Sequence, residues 1–458
     1  MNEAAKKQCE KRTQNIKDVF DNKIPKRVPI SVSLPLTAVA DYGGVDRKEA
    51  YWDPSLLEQA ADELCDRIPT DTCIYAGSVY APYSSQTLDA KNKLMSNTGI
   101  MQHPNTECMA PEEYDGLIAD PYAFIVETCM PRLYKNLNAA ESGAAPLYAL
   151  YQESVLEYDY YAKTGAMVQK LNEKYGYPTD AGIEGFGGRA PMDFIGDQLR
   201  SFSGICTDIR RYRKKILEAL DAIYPMMYKM GRCPDTAQIN RYNPVMFQLH
   251  MATYIRKKDF QEVWMPSWKR QVTDYAALGM RCGAFLEHDW TRLLDDLYEL
   301  PTGMYFKFEL TDPKAIKEKL GQKFVLGGGF PLNNLLTCTK QEVIDKTKEW
   351  LDIMAPGGQY IFGFDKDPIT LADIKIENLQ AVCETVRDYG VYDNAGESTG
   401  DVFNQADYSH SQVEDFKSKY YMTWEDYLKK FPNTPESAKA QIMAAQDNVF
   451  EKFFYMSC

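Results

Sequence analysis

The feature that most constrains the fold of this chain is a regular alternation between short apolar segments and amphipathic helical segments. The eight apolar segments lie at residues 28–34, 72–80, 181–186, 245–251, 282–288, 304–310, 324–330 and 359–364. They are almost continuously apolar, which is typical of parallel strands that are covered on both faces. Eight such strands separated by helices predict an α/β fold of the closed (β/α)₈ barrel type, with an open doubly wound sheet as the alternative.

Capping residues indicate where two of the intervening helices begin. Asp312 precedes Pro313, which is a favourable residue at the first helical position. Thr339 and Glu342 have the spacing of a capping box. In a capping box the side chain of each residue accepts a hydrogen bond from the backbone N–H of the other. Both patterns support helices between consecutive strands of the barrel.

Three segments lie outside the strand–helix alternation. A polar helix is predicted at the amino terminus, before the first strand. Residues 81–180 are rich in tyrosine and irregular in pattern, so we interpret them as an insertion over one face of the barrel. A carboxyl-terminal tail contains a linker and two helices, which begin at Thr423 and Thr434. The predicted division is a barrel domain at residues 1–392 and a linker with a helical extension at residues 393–458.

Composition excludes several classes of function. The net charge of −13 argues against nucleic acid as a partner, because phosphate binding needs clustered lysine and arginine. No apolar run is long enough to span a membrane, and the polar amino terminus predicts no signal peptide. The eleven cysteines are scattered without a CxxC pair, which predicts reduced thiols in a cytoplasmic protein. The chain also lacks GxGxxG, GxSxG and HExxH motifs.

Polar residues cluster where the predicted strands end. The carboxyl ends of barrel strands carry the reacting groups in enzymes of this fold. Here those ends carry His250, the run Glu287-His288-Asp289, Glu309 and Asp365. Side chains alternate across a strand, so either Glu287 and Asp289 face the barrel while His288 faces a helix, or the reverse holds. Gly328 lies in a glycine run that lets a ligand approach the backbone.

Several motifs in the second half of the chain are similar to those of one superfamily. They are "GGFP" at 328–331, the segment from Leu335 to Val343, "APGG" at 355–358 and "ENL" at 377–379. These motifs resemble the uroporphyrinogen decarboxylase-like (URO-D) superfamily, over roughly residues 10–392. Superfamily members are (β/α)₈ barrels, in agreement with the strand pattern. Among its branches, the chain looks closest to the corrinoid-linked methyltransferases of anaerobes.

The resemblance also helps to distinguish between the two reactions of this superfamily, decarboxylation and methyl transfer. True uroporphyrinogen decarboxylases carry an arginine-rich element that the corresponding residues 31–44 lack, so uroporphyrinogen is not expected as a substrate. A decarboxylase would need other cations, and Arg189, Arg200 and Arg241 are the candidates. The methyltransferases hold zinc with one histidine and two cysteines. The aligned positions here are His288, Trp290 and Gly358, so only the histidine is retained.

The resemblance therefore implies transfer of a methyl group from a small methylated substrate to a corrinoid (cobalamin) carried by a partner protein. A decarboxylase-like activity, or a ligand-binding barrel of the same superfamily, remains the alternative, and a homodimer is left open. The implied catalytic residues are Glu287, His288, Asp289 and Glu309. The implied substrate-binding residues are His250, Arg189, Gly328 and Asp365. Zinc or another metal would use His288, Glu287 and His250. Without a metal, Glu287 and His288 would protonate the leaving group.

Overall fold

The strands of the protein form two sheets in the computed structural model, which describes residues 1–75, 77–78, 82–138, 143–182 and 187–457. The smaller sheet is an antiparallel pair, β1 (Leu94–Met95) and β2 (Met101–Gln102). The larger sheet is parallel and six-stranded, with its strands in chain order. Its strands are β3 (Gly187–Gly188), β4 (Val245–Leu249), β5 (Cys282–Leu286), β6 (Tyr305–Phe308), β7 (Val325–Gly328) and β8 (Tyr360–Ile361).

Two further extended segments continue the parallel sheet beyond β8. The backbone N–H of Ser31 donates to the carbonyl of Phe362 at 2.9 Å, so residues 28–34 lie beside β8. The N–H of Leu34 donates to the carbonyl of Ile74 at 2.6 Å, which places residues 72–75 beside residues 28–34. Eight parallel segments thus lie side by side in barrel order. The parallel α/β prediction is confirmed, although within the described residues no ladder joins 72–75 to β3 and closes the barrel.

Most of the predicted strands coincide with observed strands. The segments predicted at 245–251, 282–288, 304–310, 324–330 and 359–364 contain β4 to β8. Residues 28–34, which were predicted to form a strand, form isolated β-bridges instead of a continuous ladder. Parts of the predictions at 72–80 and 181–186 lie outside the described residues. The ladder to β4 is made by Gly187 and Gly188, just after the second of these segments.

Helices connect and cover the strands, as the sequence pattern predicts. Asp312 and Thr339 cap the helices that they were expected to begin. The α-helices of six or more residues span Glu3–Phe20, Leu36–Gly43, Arg47–Trp52, Glu58–Arg67, Pro82–Thr87, Tyr114–Ala119, Ala144–Tyr175, Phe202–Arg211, Arg213–Gly231, Met265–Ala277, Pro313–Leu320, Lys340–Met354, Ile376–Tyr389, Trp424–Lys430 and Lys439–Ser457.

The amino-terminal helix Glu3–Phe20 packs at the end of the sheet opposite the strand carboxyl ends. Its apolar residues Ile16, Val19 and Phe20 form a buried cluster with residues of four strands. Phe20 meets Tyr305 edge to face, with ring centroids 6.3 Å apart. This packing buries Met246 and Tyr305, the inner residues at the amino ends of β4 and β6.

The insertion is more regular than the sequence suggested. Its main element is a 32-residue helix, Ala144–Tyr175, hereafter the long helix. The expectation of an irregular segment was wrong because the side of this helix that faces the core is narrow and gives only a weak apolar pattern. Its buried residues are Glu153, Tyr160, Met167 and Leu171.

The carboxyl-terminal helix Lys439–Ser457, hereafter the tail helix, packs against the main body of the protein. Phe454 stacks on Phe194 with centroids 5.2 Å apart, and Phe450 and Phe454 belong to the same buried cluster as the strands. The tail therefore shares its core with the sheet. The domain boundary at residue 392 remains a prediction.

Candidate functional site

A cavity of about 810 Å³ opens at the carboxyl ends of the strands, inside the sheet. Its floor is a row of three side chains, Gln248, Phe285 and Lys307. These residues are direct neighbours in the registers of β4, β5 and β6. Because side chains alternate across a strand, the three point to the same face while the apolar residues on either side of them face the helices.

The walls of the cavity come from parts of the chain that are distant in sequence. The segment after β3 supplies Arg189, Asp193, Phe194, Asp197 and Gln198. From the insertion come Tyr83, Ser84, Lys93, His103, Asn105, Tyr134, Glu157 and Tyr161. The tail helix contributes Lys452, Tyr455 and Met456, and the loop after β8 contributes Lys366 and Asp367. The site is thus completed by the insertion and the carboxyl-terminal tail.

His250 and Glu287 form a charged pair at the edge of this cavity. Nδ1 of His250 lies 2.8 Å from Oε2 of Glu287. Burial lowers the pKa of His250, but the hydrogen bond to Glu287 and the charges of Glu287, Asp193 and Asp197 outweigh it and raise that pKa to about 9. His250 is therefore an imidazolium near neutral pH, and its ring lines the cavity.

Asp193 holds the backbone of His250 in place. Its Oδ2 accepts the N–H of His250 at 2.9 Å, and its Oδ1 accepts the indole N–H of Trp264 at 2.5 Å. Burial raises the pKa of Asp193 to about 6, although the charge of His250 and both hydrogen bonds act in the opposite direction. Asp193 directly precedes a π-helical segment, Phe194–Arg200, and such segments are frequent at functional sites.

His288 bonds Tyr254 and is not among the described residues that line the cavity. Its backbone has φ of 63°, and its Nε2 forms a 2.5 Å hydrogen bond with the hydroxyl of Tyr254. Among the described residues, His288 and Glu287 do not line the cavity, but Glu287 reaches it through His250. Neither alternative for alternating side chains is met in full, because Glu287 bonds His250 at the cavity, His288 bonds Tyr254 and Asp289 is exposed.

Asp289 and Glu309 make local contacts. Asp289 is exposed, and its carboxylate accepts the backbone N–H of Thr291 at 2.8 Å, so it caps the turn that follows. Glu309 accepts the backbone N–H of His288 at 2.7 Å and lies 3.8 Å from the amino group of Lys366. Neither is among the described residues that line the cavity.

The four predicted substrate-binding residues have different positions. His250 and Arg189 line the cavity. Gly328 is buried at the end of β7 with φ of 67°, and a Cβ there would lie 2.6 Å from Cγ of Lys307. Asp365 is buried and accepts the backbone N–H of Leu332 at 2.9 Å, and burial raises its pKa. Gly328 and Asp365 thus support the cavity from behind its lining.

The residues expected to bind a metal are not arranged as a ligand set. Nδ1 of His250 and Oε2 of Glu287 lie 2.8 Å apart, so these two groups bond each other and do not converge on a common point. The ring of His288 is directed to Tyr254. Over the part of the chain that the structure describes, no three histidine, cysteine or acidic side chains are grouped to hold an ion. The donor geometry therefore does not fit zinc at His288, Glu287 and His250.

Sequence reasoning missed Gln248, Lys307 and Asp193. A signal for the first two was present, because each is a polar residue inside an apolar strand. Each lies two positions before a polar strand end, Gln248 before His250 and Lys307 before Glu309, so each shares a strand face with it. Asp193 lies outside the strands, and no sequence pattern indicates that it accepts the N–H of His250.

Comparison with known proteins agrees with this architecture. Residues 194–389 match the family model described as uroporphyrinogen decarboxylase (URO-D). The chain carries a uroporphyrinogen decarboxylase-like domain. The predicted superfamily is thereby confirmed, and the matched region includes β4 to β8 together with His250, Glu287 and Lys307.

Other parts of the site lie outside the match. Arg189, Asp193, the insertion and the tail helix all contribute to the cavity, yet none falls within residues 194–389. A search of curated proteins finds no significant match. None of the described helices is both long enough and apolar enough to cross a membrane.

Proposed function

We propose that this URO-D-like enzyme transfers a methyl group from a small methylated substrate to a corrinoid carried by a partner protein. The observation that carries the proposal is the His250–Glu287 pair, which holds an imidazolium at the wall of a cavity of small-molecule size. In this proposal His250 is the general acid. Glu287 is a positioning residue, because it acts on the substrate only through His250.

The reaction needs a proton because an alkoxide or amide ion is a poor leaving group. The bond between the methyl carbon and the oxygen or nitrogen breaks as the carbon bonds to the cobalt(I) of the acceptor corrinoid. The electron pair of the broken bond stays on the oxygen or nitrogen, which takes the proton of His250. Solvent then returns a proton to the imidazole, and the carboxylate of Glu287 stabilises the resulting cation.

The cavity floor supports recognition of a substrate with an apolar body and a polar end. Phe285 offers a ring face, and the amino group of Lys307 lies 5.1 Å from its centroid. Lys307 is also 3.8 Å from Asp367, so its charge is held at the floor. These contacts favour a flat or apolar substrate that places an acceptor or negative group near Lys307.

A direct assay tests this function. Purified protein is mixed under anaerobic conditions with cob(I)alamin and a panel of methoxylated aromatics and methylated amines, and the cobalt absorbance spectrum is followed. We expect conversion to methylcob(III)alamin with at least one substrate class, and a strong loss in His250→Asn. His410→Asn is the matched control, because His410 bonds Tyr228 and is not part of the described cavity lining.

Decarboxylation is a second candidate because cationic side chains line the cavity. Of the three arginines expected to serve this reaction, Arg189 is at the cavity, whereas Arg200 pairs with buried Asp208 and Arg241 stacks on Phe403. Lys93, Lys307, Lys366 and Lys452 are further cations of the lining. Release of CO₂ from small carboxylic acids, without any change in the cobalt spectrum, would favour this second reaction. Uroporphyrinogen belongs in the same panel, and no coproporphyrinogen is expected from it.

A further inference from the structure

The outward face of the long helix is apolar, although it is exposed. Tyr148, Tyr151 and Tyr158 are each more than 70% exposed, and Val155 is 52% exposed. Ala162 and Gly165 continue the same line and are exposed as well. Contiguous exposed apolar surface on this scale marks an interaction site in soluble proteins.

These six residues follow the spacing of a coiled-coil seam. Positions 148, 151, 155, 158, 162 and 165 alternate by three and four residues, which is the a/d pattern of a heptad repeat. The buried residues Glu153, Tyr160 and Met167 occupy the f positions on the opposite side of the helix. The helix therefore presents one heptad face to the body of the protein and the a/d face to the outside.

The seam is complementary to itself. In an antiparallel pairing of two copies around the midpoint between residues 156 and 157, each seam residue meets the one equally far from that midpoint. Tyr148 then meets Gly165, Tyr151 meets Ala162, and Val155 meets Tyr158. Large residues on one half of the seam thus face small residues on the other half. A Cβ added at Gly165 would have no neighbour within 4 Å, so there is room for a partner's ring.

Charge and area also favour a second copy as the occupant. From residue 147 to residue 166 the a, d, e and g positions carry a single charged residue, Asp159, so pairing brings few like charges together. Aromatic side chains bury roughly 150–250 Å² each, so the three seam tyrosines with Leu147 and Val155 offer about 500–700 Å² on each copy. A standard interface needs about 800 Å² from each partner, so the seam supplies most of a dimer contact.

We propose that the protein is a homodimer in which the long helices of two copies pack antiparallel through this seam. The contact is isologous, because the same residues are used on both copies. The long helix also supplies Glu157 and Tyr161 to the cavity wall, so the interface lies next to the site on each copy. This proposal does not depend on the reaction that the site catalyses.

The oligomeric state of the full chain tests it, measured by analytical ultracentrifugation across a range of concentrations. The wild-type protein is expected at twice the chain mass of 52.3 kDa. Tyr151→Glu is expected to be monomeric, because it places a charge against Ala162 of the second copy. Val402→Glu is the matched control, since Val402 is 72% exposed and lies outside the long helix, and it is expected to remain dimeric.

A paired exchange tests the register. Ala162→Tyr alone places two tyrosines against each other and is expected to weaken the dimer by at least tenfold in dissociation constant. The double variant Tyr151→Ala with Ala162→Tyr restores a large residue against a small one, and it is expected to recover the dimer. A monomeric wild-type protein overturns the proposal, as does a dimer that Tyr151→Glu leaves intact. Failure of the double variant to recover overturns the antiparallel register.

Discussion

Nδ1 of His250 and Oε2 of Glu287 lie 2.8 Å apart across two neighbouring strands. The two residues follow directly after Leu249 and Leu286, which are partners in the register of β4 and β5. Parallel pairing thus brings a histidine and a carboxylate together at the strand ends, one residue beyond the last ladder position. The distance between His250 and Glu287 therefore depends on the register of β4 and β5 and not on the conformation of a loop.

The charge state of His250 follows from this pair. We expect His250 to titrate with a pKa of about 9, and Glu287→Gln to lower that pKa because burial then acts without the carboxylate. Histidine-selective NMR can follow the titration, since the chain has only four histidines. His410 is the internal control, because it bonds Tyr228 and is not part of the described cavity lining.

The sign of the pH effect on stability follows from the same shift. The folded-state pKa of His250 lies above its usual value of 6.5, so its stabilising contribution is complete below pH 6.5 and is lost as the pH rises through about 9. Urea denaturation of the wild type and of Glu287→Gln should therefore converge above pH 9. A difference in unfolding free energy that stays constant from pH 6 to pH 10 would contradict the pairing.

Asp193 is buried and accepts two hydrogen bonds, from the backbone N–H of His250 and from the indole N–H of Trp264. We expect Asp193→Ala to lower the unfolding free energy by roughly 2–6 kcal/mol, at about 1–3 kcal/mol for each unsatisfied donor. Because the pKa of Asp193 is raised to about 6 in the folded state, the wild-type advantage should shrink as the pH rises from about 4 through 6. Asp289→Ala, at an exposed turn, should lose about 1 kcal/mol at most. Equal losses in both variants would show that Asp193 has no special role.

Gly328 supports the cavity floor by leaving room for Lys307. An alanine there would be strained by its positive φ, at about 1–2 kcal/mol, and its Cβ would lie 2.6 Å from Cγ of Lys307. Gly357 has a similar φ of 77° but nothing within 4 Å of an added Cβ. We therefore expect Gly328→Ala to destabilise the protein by roughly 1–3 kcal/mol more than Gly357→Ala. Thermal unfolding of both variants measures this difference, and no difference would mean that the floor is not closely packed.

The tail helix should be needed for stability as well as for the cavity wall. Phe454 is fully buried against Phe194, so Phe454→Ala should cost roughly 3–5 kcal/mol. Val449 lies on the exposed side of the same helix, and Val449→Ala should change stability by less than about 0.5 kcal/mol. A separate unfolding transition for the tail would instead support an independent unit at residues 393–458.

The sequence predicted the strands and helices of this protein better than the positions of its site residues. Apolar runs and capping residues were sufficient to place β4 to β8 and the helices that Asp312 and Thr339 begin, because these signals are local. The role of His288 was not predictable in the same way. Its direction depends on a positive φ just after the strand, which turns the ring to Tyr254. Asp193 and the tail helix reach the site only through long-range packing, which leaves no periodic pattern in the sequence.

If His250 protonates the leaving group in the proposed methyl transfer, the effect of replacing His250 must depend on how readily the leaving group departs. Methyl transfer to cob(I)alamin is measured for the wild type and His250→Asn with an unactivated aryl methyl ether and with a cyano-substituted one, whose activating group cob(I)alamin does not readily reduce. We predict a loss of about 10²–10⁴-fold in the variant for the unactivated ether and a much smaller loss for the cyano compound, whose phenolate leaves more readily without a proton. Equal losses for both ethers, or no methyl transfer by the wild type with any substrate of the panel, would contradict it.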